Sequence, residues 1–216
     1  MTDADDGCPP SHLARAVAAF ERHAFAALLD PAGPPRLAEV ADVAGRDATG
    51  IAQAIAWLDA HGQLERDRDH LIGAHGLTRR TTAHTLTIDD RTIHTWCAYD
   101  AIAIPIALGV DAEAAITCPT CRKRLTITVA AGQPLSDPTP RLWLPTGPCD
   151  NVMADFCTHA NVFCTAEHLD AWRTARGNPP GRAVRPEAIA PLAHIAWADV
   201  ASLVHDRPAA RGADGA

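Results

Sequence analysis

The chain has 216 residues and a net charge of −7, from 19 basic and 26 acidic side chains, and is 47 % hydrophobic and 21 % charged. That composition excludes wholesale disorder and allows one large domain or two small ones, while the acidic balance offers no attraction for nucleic acid or anionic lipid, so neither is expected as a partner. The longest apolar stretch, Ala101 to Val110, is about half a membrane span and contains Pro105; with no basic-then-apolar order at the N-terminus, a cytoplasmic location is expected.

Residues 1–10 read as a flexible leader and 206–216 as a flexible tail. Between them, Leu13, Val17, Phe20, Ala24 and Leu28 recur at three- and four-residue steps, which predicts an amphipathic helix capped by Ser11 and ended by Pro31-Ala-Gly-Pro-Pro35. Leu37 to Val43 reads as a short helix. Asp47 caps a third that runs to Ala60 and closes on His61-Gly62, and Leu64 to Ile72 reads as a polar hairpin. Three helices and a hairpin outline a winged helix-turn-helix over residues 11–80. Its third helix carries no lysine or arginine, so a scaffold or lid fits it better than a reader of DNA.

From Thr82 the pattern changes. Ala83 to Ile88, Leu125 to Val129 and Arg141 to Leu144 have strand composition, and Trp96 to Leu108 is apolar all round, as a buried helix would be. Thr165 is placed to cap a helix carrying Leu169 and Trp172 and ending near Gly177. The expectation is an α+β protein: a winged helix-turn-helix-like domain at 11–80, then a mixed α+β catalytic domain at 81–205 built on a small sheet.

Seven cysteines without an export signal point to metal ligands, reactive thiols or small buried hydrophobes before disulfides. Cys97 and Asp100 share one face of a helical turn at the mouth of the most apolar segment. A carboxyl group there would hold its proton toward neutrality. The other reading of the pair is a buried thiol beside a helix-capping aspartate. The segment Asp155 to Cys164 holds Cys157, His159 and Cys164; if it is extended, Cys157 and His159 point one way and Cys164 the other. Those thiols are either soft-metal ligands or nucleophiles, or they are strand-core cysteines beside a surface histidine. Cys118-Pro-Thr-Cys121 is half of a zinc site whose other half must come from elsewhere, with Cys149, Cys157, His159 and Cys164 as candidates. The following Arg122-Lys123-Arg124 favours thiolate. A structural or supporting role suits this pair.

Several of these pieces resemble the bacterial organomercurial (alkylmercury) lyases. The resemblance rests on Gly76-Leu77-Thr78, Ile88-Asp89-Asp90-Arg91, Thr95-Trp96-Cys97-Ala98-Tyr99-Asp100, Cys118, Phe156-Cys157-Thr158-His159, and Thr165-Ala166-Glu167 with Ala171-Trp172. It implies a helix-turn-helix-like domain joined to a catalytic α+β domain. It also implies that Cys97 and Cys157 are the mercury-holding catalytic thiols, that Asp100 is the proton carrier and a third candidate ligand, and that Cys118 is structural. No organic cofactor is implied. Hg(II) would remain bound as product until external low-molecular-weight thiols or a mercuric reductase remove it. Trp96, Tyr99, Ile102, Phe156 and Phe163 would supply apolar surroundings. Cys121, Cys149 and Cys164, Thr158 after Cys157, and the chain beyond Gly177 depart from the family pattern. Two readings from other classes stand beside the lyase: a winged-helix metal-responsive regulator, and a homologue that binds thiophilic metal without turnover.

Overall fold

A computed structural model describes residues 8–135 and 139–205; the first seven residues and the expected tail at 206–216 lie outside the described residues. Three helices open the fold: α1 (Ala14–Leu29), α2 (Leu37–Ala44) and α3 (Ala48–Ala60). The apolar stripe of α1 buries Val17, Phe20, Ala24 and Leu28 against the other two. Ser11 does not cap it. The first turn is instead anchored by the Leu13 N–H on the Pro10 carbonyl at 2.8 Å. Asp47 does cap α3, accepting the Gly50 N–H at 3.0 Å, and supplies one of the acceptors that a helix start lacks.

The hairpin β1 (Leu64–Asp67) and β2 (His70–Ala74) does not stand apart as a wing. Through β3 (Leu77–Thr78) it joins β5 (Arg91–Thr95), β4 (Thr85–Ile88), β6 (Ala112–Thr117), β7 (Arg124–Ala130) and β8 (Gln133–Pro134) in one antiparallel sheet of eight strands, ordered β1-β2-β3-β5-β4-β6-β7-β8. The sheet is therefore larger than the small one expected. Its extra strands are two-residue pieces or alanine- and histidine-containing runs with too little apolar alternation to stand out in sequence. The β4–β5 hairpin turns on Asp89 and Asp90, both at positive φ (47° and 61°), the geometry that matches the twist of a two-residue hairpin.

Against this sheet lies α4 (Ala98–Leu108), every residue of which is buried. That explains its all-round apolarity: the sheet covers one side, and the C-terminal helices α6 (Ala190–Ala196) and α7 (Ala198–His205) cover another. One continuous core runs from Leu13 and Phe20 through Leu71, Leu77 and Ile102 to Trp197 and Val200, so the opening helices and the later elements share it. A second sheet, β10 (Asn161–Phe163), β9 (Arg141–Pro145) and β11 (Gly181–Val184), packs with helix α5 (Ala166–Ala175) around a separate cluster of Trp143, Phe163, Leu169 and Trp172. Among the described residues, no helix is long and apolar enough to cross a membrane.

Candidate active site

Cys97 sits immediately before α4, in extended conformation, and Asp100 is the third residue of that helix. The Cys97 N–H donates to Asp100 Oδ2 at 3.0 Å, so the helix start is closed by a carboxylate from within its own first turn. Both side chains are buried, 1 % and 5 % exposed respectively. Local sequence dictates this half of the site: an i, i+3 pair at a helix start needs no tertiary information to converge.

Cys157 arrives from far along the chain, at the end of a π-helical turn, Val152–Cys157. The segment is thus helical up to Cys157 and extended only from Asn161, which corrects the extended reading of Asp155 to Cys164. Asn151 holds the turn at its start, its Oδ1 accepting the Ala154 N–H at 2.9 Å, while Asp155 Oδ2 accepts the Asn151 N–H at 2.8 Å. The Val152 N–H also donates to the His61 carbonyl at 2.9 Å, docking the turn on the end of α3. Gly62 makes that approach feasible. It has a positive φ of 62°, and a Cβ there would lie 2.2 Å from Asn151 Oδ1. The N-terminal helices thereby help to position Cys157.

Cys97 Sγ, Cys157 Sγ and a carboxylate oxygen of Asp100 all lie within 4.8 Å of one another. Burial pushes Asp100 up to about 7 from an ordinary 3.8, with the Cys97 hydrogen bonds and the nearby His75 pulling the other way. Burial also drives the Cys97 thiol well above its ordinary range, reinforced by its hydrogen bond to Cys157 and the charge of Asp100. For Cys157 that hydrogen bond pulls downward, but burial and the charges of Asp100 and Glu65 leave the thiol raised. Near neutrality both thiols hold their protons, and Asp100 is the one group of the three poised to exchange one.

A cavity of about 620 Å³ opens beside Asp100. Trp96, Tyr99, Phe156, Leu144 and Val152 line it, and α6 and its C-cap complete the wall with Leu192, Ile195 and Trp197. Tyr99 packs edge-on to Phe156 with ring centroids 5.4 Å apart, and Trp197 lies 5.8 Å from Tyr99. Of the apolar residues expected around the site, Trp96, Tyr99 and Phe156 line the cavity. Ile102 belongs to the main core and Phe163 to the separate aromatic cluster. Gly76 backs the carboxylate: at φ +89°, its missing Cβ would stand 3.0 Å from Asp100 Cγ.

Sequence reasoning missed His75 and Glu21, which also line the cavity and meet at 3.2 Å through His75 Nδ1. Trp197 Nε1 donates to the His75 carbonyl at 3.0 Å, tying the C-terminal segment to the site. Nothing in the local sequence marks His75 except its place beside Gly76. His159 joins neither cysteine cluster, and Cys149 lies near enough to Cys157 and Asp155 for their charges to raise it, after burial. Cys118 and Cys121 meet Cys164, as one expectation had it, but not Cys157; the fourth member is His168, which was not foreseen.

Two thiols and a buried acid lie within reach of one another on a mixed α+β scaffold, the acid lining an apolar cavity. Thiols are the donors soft metals take, and an acid raised toward neutrality is a group that can move a proton. Residues 77–198, more than half of the chain, match the alkylmercury lyase family, and the chain belongs to that family. It is 29 % identical over 116 residues to an alkylmercury lyase of Pseudomonas putida, covering 52 % of this chain and 54 % of that protein. A second, from Streptomyces lividans, is 26 % identical over 149 residues, 67 % of each chain. The chain thus spans about half the length of the first relative and two thirds of the second. The same fold recurs in the crystal structure of the mercury-bound form of MerB2, with a TM-score of 0.71 at 16 % identity, covering 91 % of this chain and 93 % of that one.

Proposed function

We propose that this chain is an organomercurial lyase that cleaves the carbon–mercury bond of R–Hg⁺ by protonation, giving R–H and Hg(II). The observation that carries the reading is the triangle of buried Cys97, half-buried Cys157 and buried Asp100, with Asp100 lining an apolar cavity. Mercury is soft and thiolates are the soft ligands a protein owns. Two thiolates on one mercury ion stand roughly 4–5 Å apart, given metal–sulfur bonds of about 2.3 Å or slightly longer.

The steps follow from exposure and proton affinity. Cys157, the less buried thiol, takes R–Hg⁺ first from the external thiolate that delivered it; its proton leaves on that thiolate. Cys97 then joins the mercury and passes its proton to Asp100, whose carboxylate already accepts the Cys97 N–H. With electron density pushed from two sulfurs toward carbon, Asp100 returns that proton to carbon and R–H departs. A carboxyl group with a pKa near 7 is suited to both transfers. Hg(II) stays on the two sulfurs, with Asp100 as a third candidate ligand, until low-molecular-weight thiols or a mercuric reductase take it. No organic cofactor enters. In this reading residues 11–80 serve as a winged-helix-like scaffold and 81–205 as the catalytic unit, working inside the cytoplasm.

The test is headspace detection of benzene or methane from purified protein given phenylmercury or methylmercury with excess thiol. Catalytic release that disappears in Cys97→Ala and Cys157→Ala is the expected result. Tight binding of the organomercurial without hydrocarbon release would overturn the lyase reading in favour of a binding protein without turnover.

A further inference from the structure

Away from the cavity, two segments distant in sequence bring four soft or borderline donors together. Cys118 ends the β6 side of the β6–β7 hairpin and Cys121 lies in its turn, while Cys164 ends β10 and His168 is one helical turn further on, in α5. Their ligand atoms all lie within 4.8 Å of one another. Cys121 Sγ is 3.4 Å from Cys164 Sγ, and Cys164 Sγ is 2.8 Å from His168 Nδ1. From the geometry we infer that Cys118, Cys121, Cys164 and His168 form a structural zinc site, independent of the mercury chemistry proposed above.

The donor set and the spacing both fit. Cys-x2-Cys followed by Cys-x3-His supplies three thiolates and one imidazole, a closed tetrahedral set with no position left for substrate. Bonds of about 2.3 Å place the sulfurs of a zinc tetrahedron roughly 3.8 Å apart, so the 3.4 Å pair needs only a few tenths of an ångström of opening. The hairpin is already folded as a metal knuckle. The Cys118 N–H donates to the Lys123 carbonyl, the Arg122 N–H donates to the Cys118 carbonyl, both at 2.9 Å, and Arg122 adopts a positive φ of 64°. Backbone N–H groups of Thr120, Cys121 and Cys164 point at Cys118 Sγ, as they do where a bound thiolate must be held. Thr120 Oγ1 donates to the His168 carbonyl at 2.8 Å, linking the two halves without the metal. Cys121 is exposed, which leaves the ion a path in.

The site also has a structural task. The cluster of Trp143, Phe163, Leu169 and Trp172 is separate from the main core and small. Zinc would staple it, joining the eight-stranded sheet through the β6–β7 turn to the three-stranded sheet and α5 through β10. Cys157 lies four residues before β10, so the staple would also anchor the chain that delivers it.

The experiment is elemental analysis and cobalt substitution on the full chain, purified under reducing conditions without chelator. The expected result is one zinc per chain and, with Co(II) in its place, the visible bands of tetrahedral cobalt with thiolate charge transfer. Cys121→Ser and His168→Asn should weaken cobalt binding by roughly 10–100-fold or more, the scale at which even supporting residues of a metal site act. His168→Cys should keep the metal and strengthen the charge-transfer band, a readout that does not depend on a variant failing to fold. Wild-type protein that binds neither ion would overturn the assignment. So would metal that survives Cys118→Ser/Cys121→Ser but is lost in Cys97→Ser/Cys157→Ser, or a Cys121–Cys164 disulfide found by mass spectrometry of the unreduced protein.

Discussion

Replacing Asp100 with Asn separates what the carboxyl group does for the reaction from what it costs the fold. The side chain is 5 % exposed and burial lifts its pKa from 3.8 to about 7. Between about pH 4 and pH 7 the folded protein therefore keeps a proton that the unfolded chain has released, so stability falls as pH rises through that window. At about 1.36 kcal/mol per pH unit the loss reaches roughly 4 kcal/mol above pH 7, the cost of a carboxylate whose burial outweighs the Cys97 hydrogen bonds and the nearby His75. Asn retains an oxygen for the Cys97 N–H, fills the same volume and carries no charge. Asp100→Asn should abolish hydrocarbon release, retain organomercurial binding, and be more stable than wild type by up to roughly 4 kcal/mol at pH 8, with the gain fading below about pH 5. His84, whose shift comes from burial alone, titrates alike in both proteins and cancels in the difference, and the two thiols, raised above their ordinary range, hold their protons across this pH interval. Urea unfolding of the reduced proteins at intervals from pH 4.5 to pH 8 reads it directly. A stability difference that does not change with pH, or a variant that still turns over, would refute the argument.

Gly76→Ala should both strain the backbone at φ +89° and press on Asp100 Cγ, costing roughly 1–3 kcal/mol in urea unfolding and lowering turnover in the headspace assay. His84 is lowered from 6.5 to about 4 by burial, and its Nδ1 has no hydrogen-bond partner. It stays neutral in the fold while the unfolded chain takes up a proton, so it drains stability as pH falls from about 6.5 toward 4. His84→Gln should flatten that acid loss in a series of Tm measurements against pH, and an unchanged slope would count against a buried neutral imidazole. Trp197→Ala removes a ring 5 % exposed that touches His75 and Tyr99, and should cost roughly 3–5 kcal/mol of stability while opening the cavity to solvent. Binding of 1-anilinonaphthalene-8-sulfonate that is stronger in the variant than in wild type would report the opening.

Much of this protein was legible from local pattern. The stripe of α1, the Asp47 and Thr165 caps, the buried α4 and the Cys97–Asp100 pair all depend on contacts within a turn or two of helix, where spacing alone decides which side chains meet. The burial that raises Asp100 was also foreseeable, because α4 is apolar on every face. Cys157 could be nominated by its motif, but its π-helical turn and its docking on His61 and Gly62 are contacts between segments that no periodicity records. The same holds for the hairpin's entry into an eight-stranded sheet, since pairing partners are chosen by long-range closure and strands of two residues carry almost no signal. His168 shows the limit most clearly. Its place one helical turn after Cys164 was present in the chain throughout, but only the packing of α5 beside the β6–β7 turn brings it to Cys118 and Cys121. The C-terminal helices, unremarkable in sequence, cover α4, and α6 with its C-cap became a wall of the cavity because it supplied an apolar face there. Which atoms could do chemistry was written in residue type and spacing; which of them meet was decided by the burial of surfaces far apart along the chain.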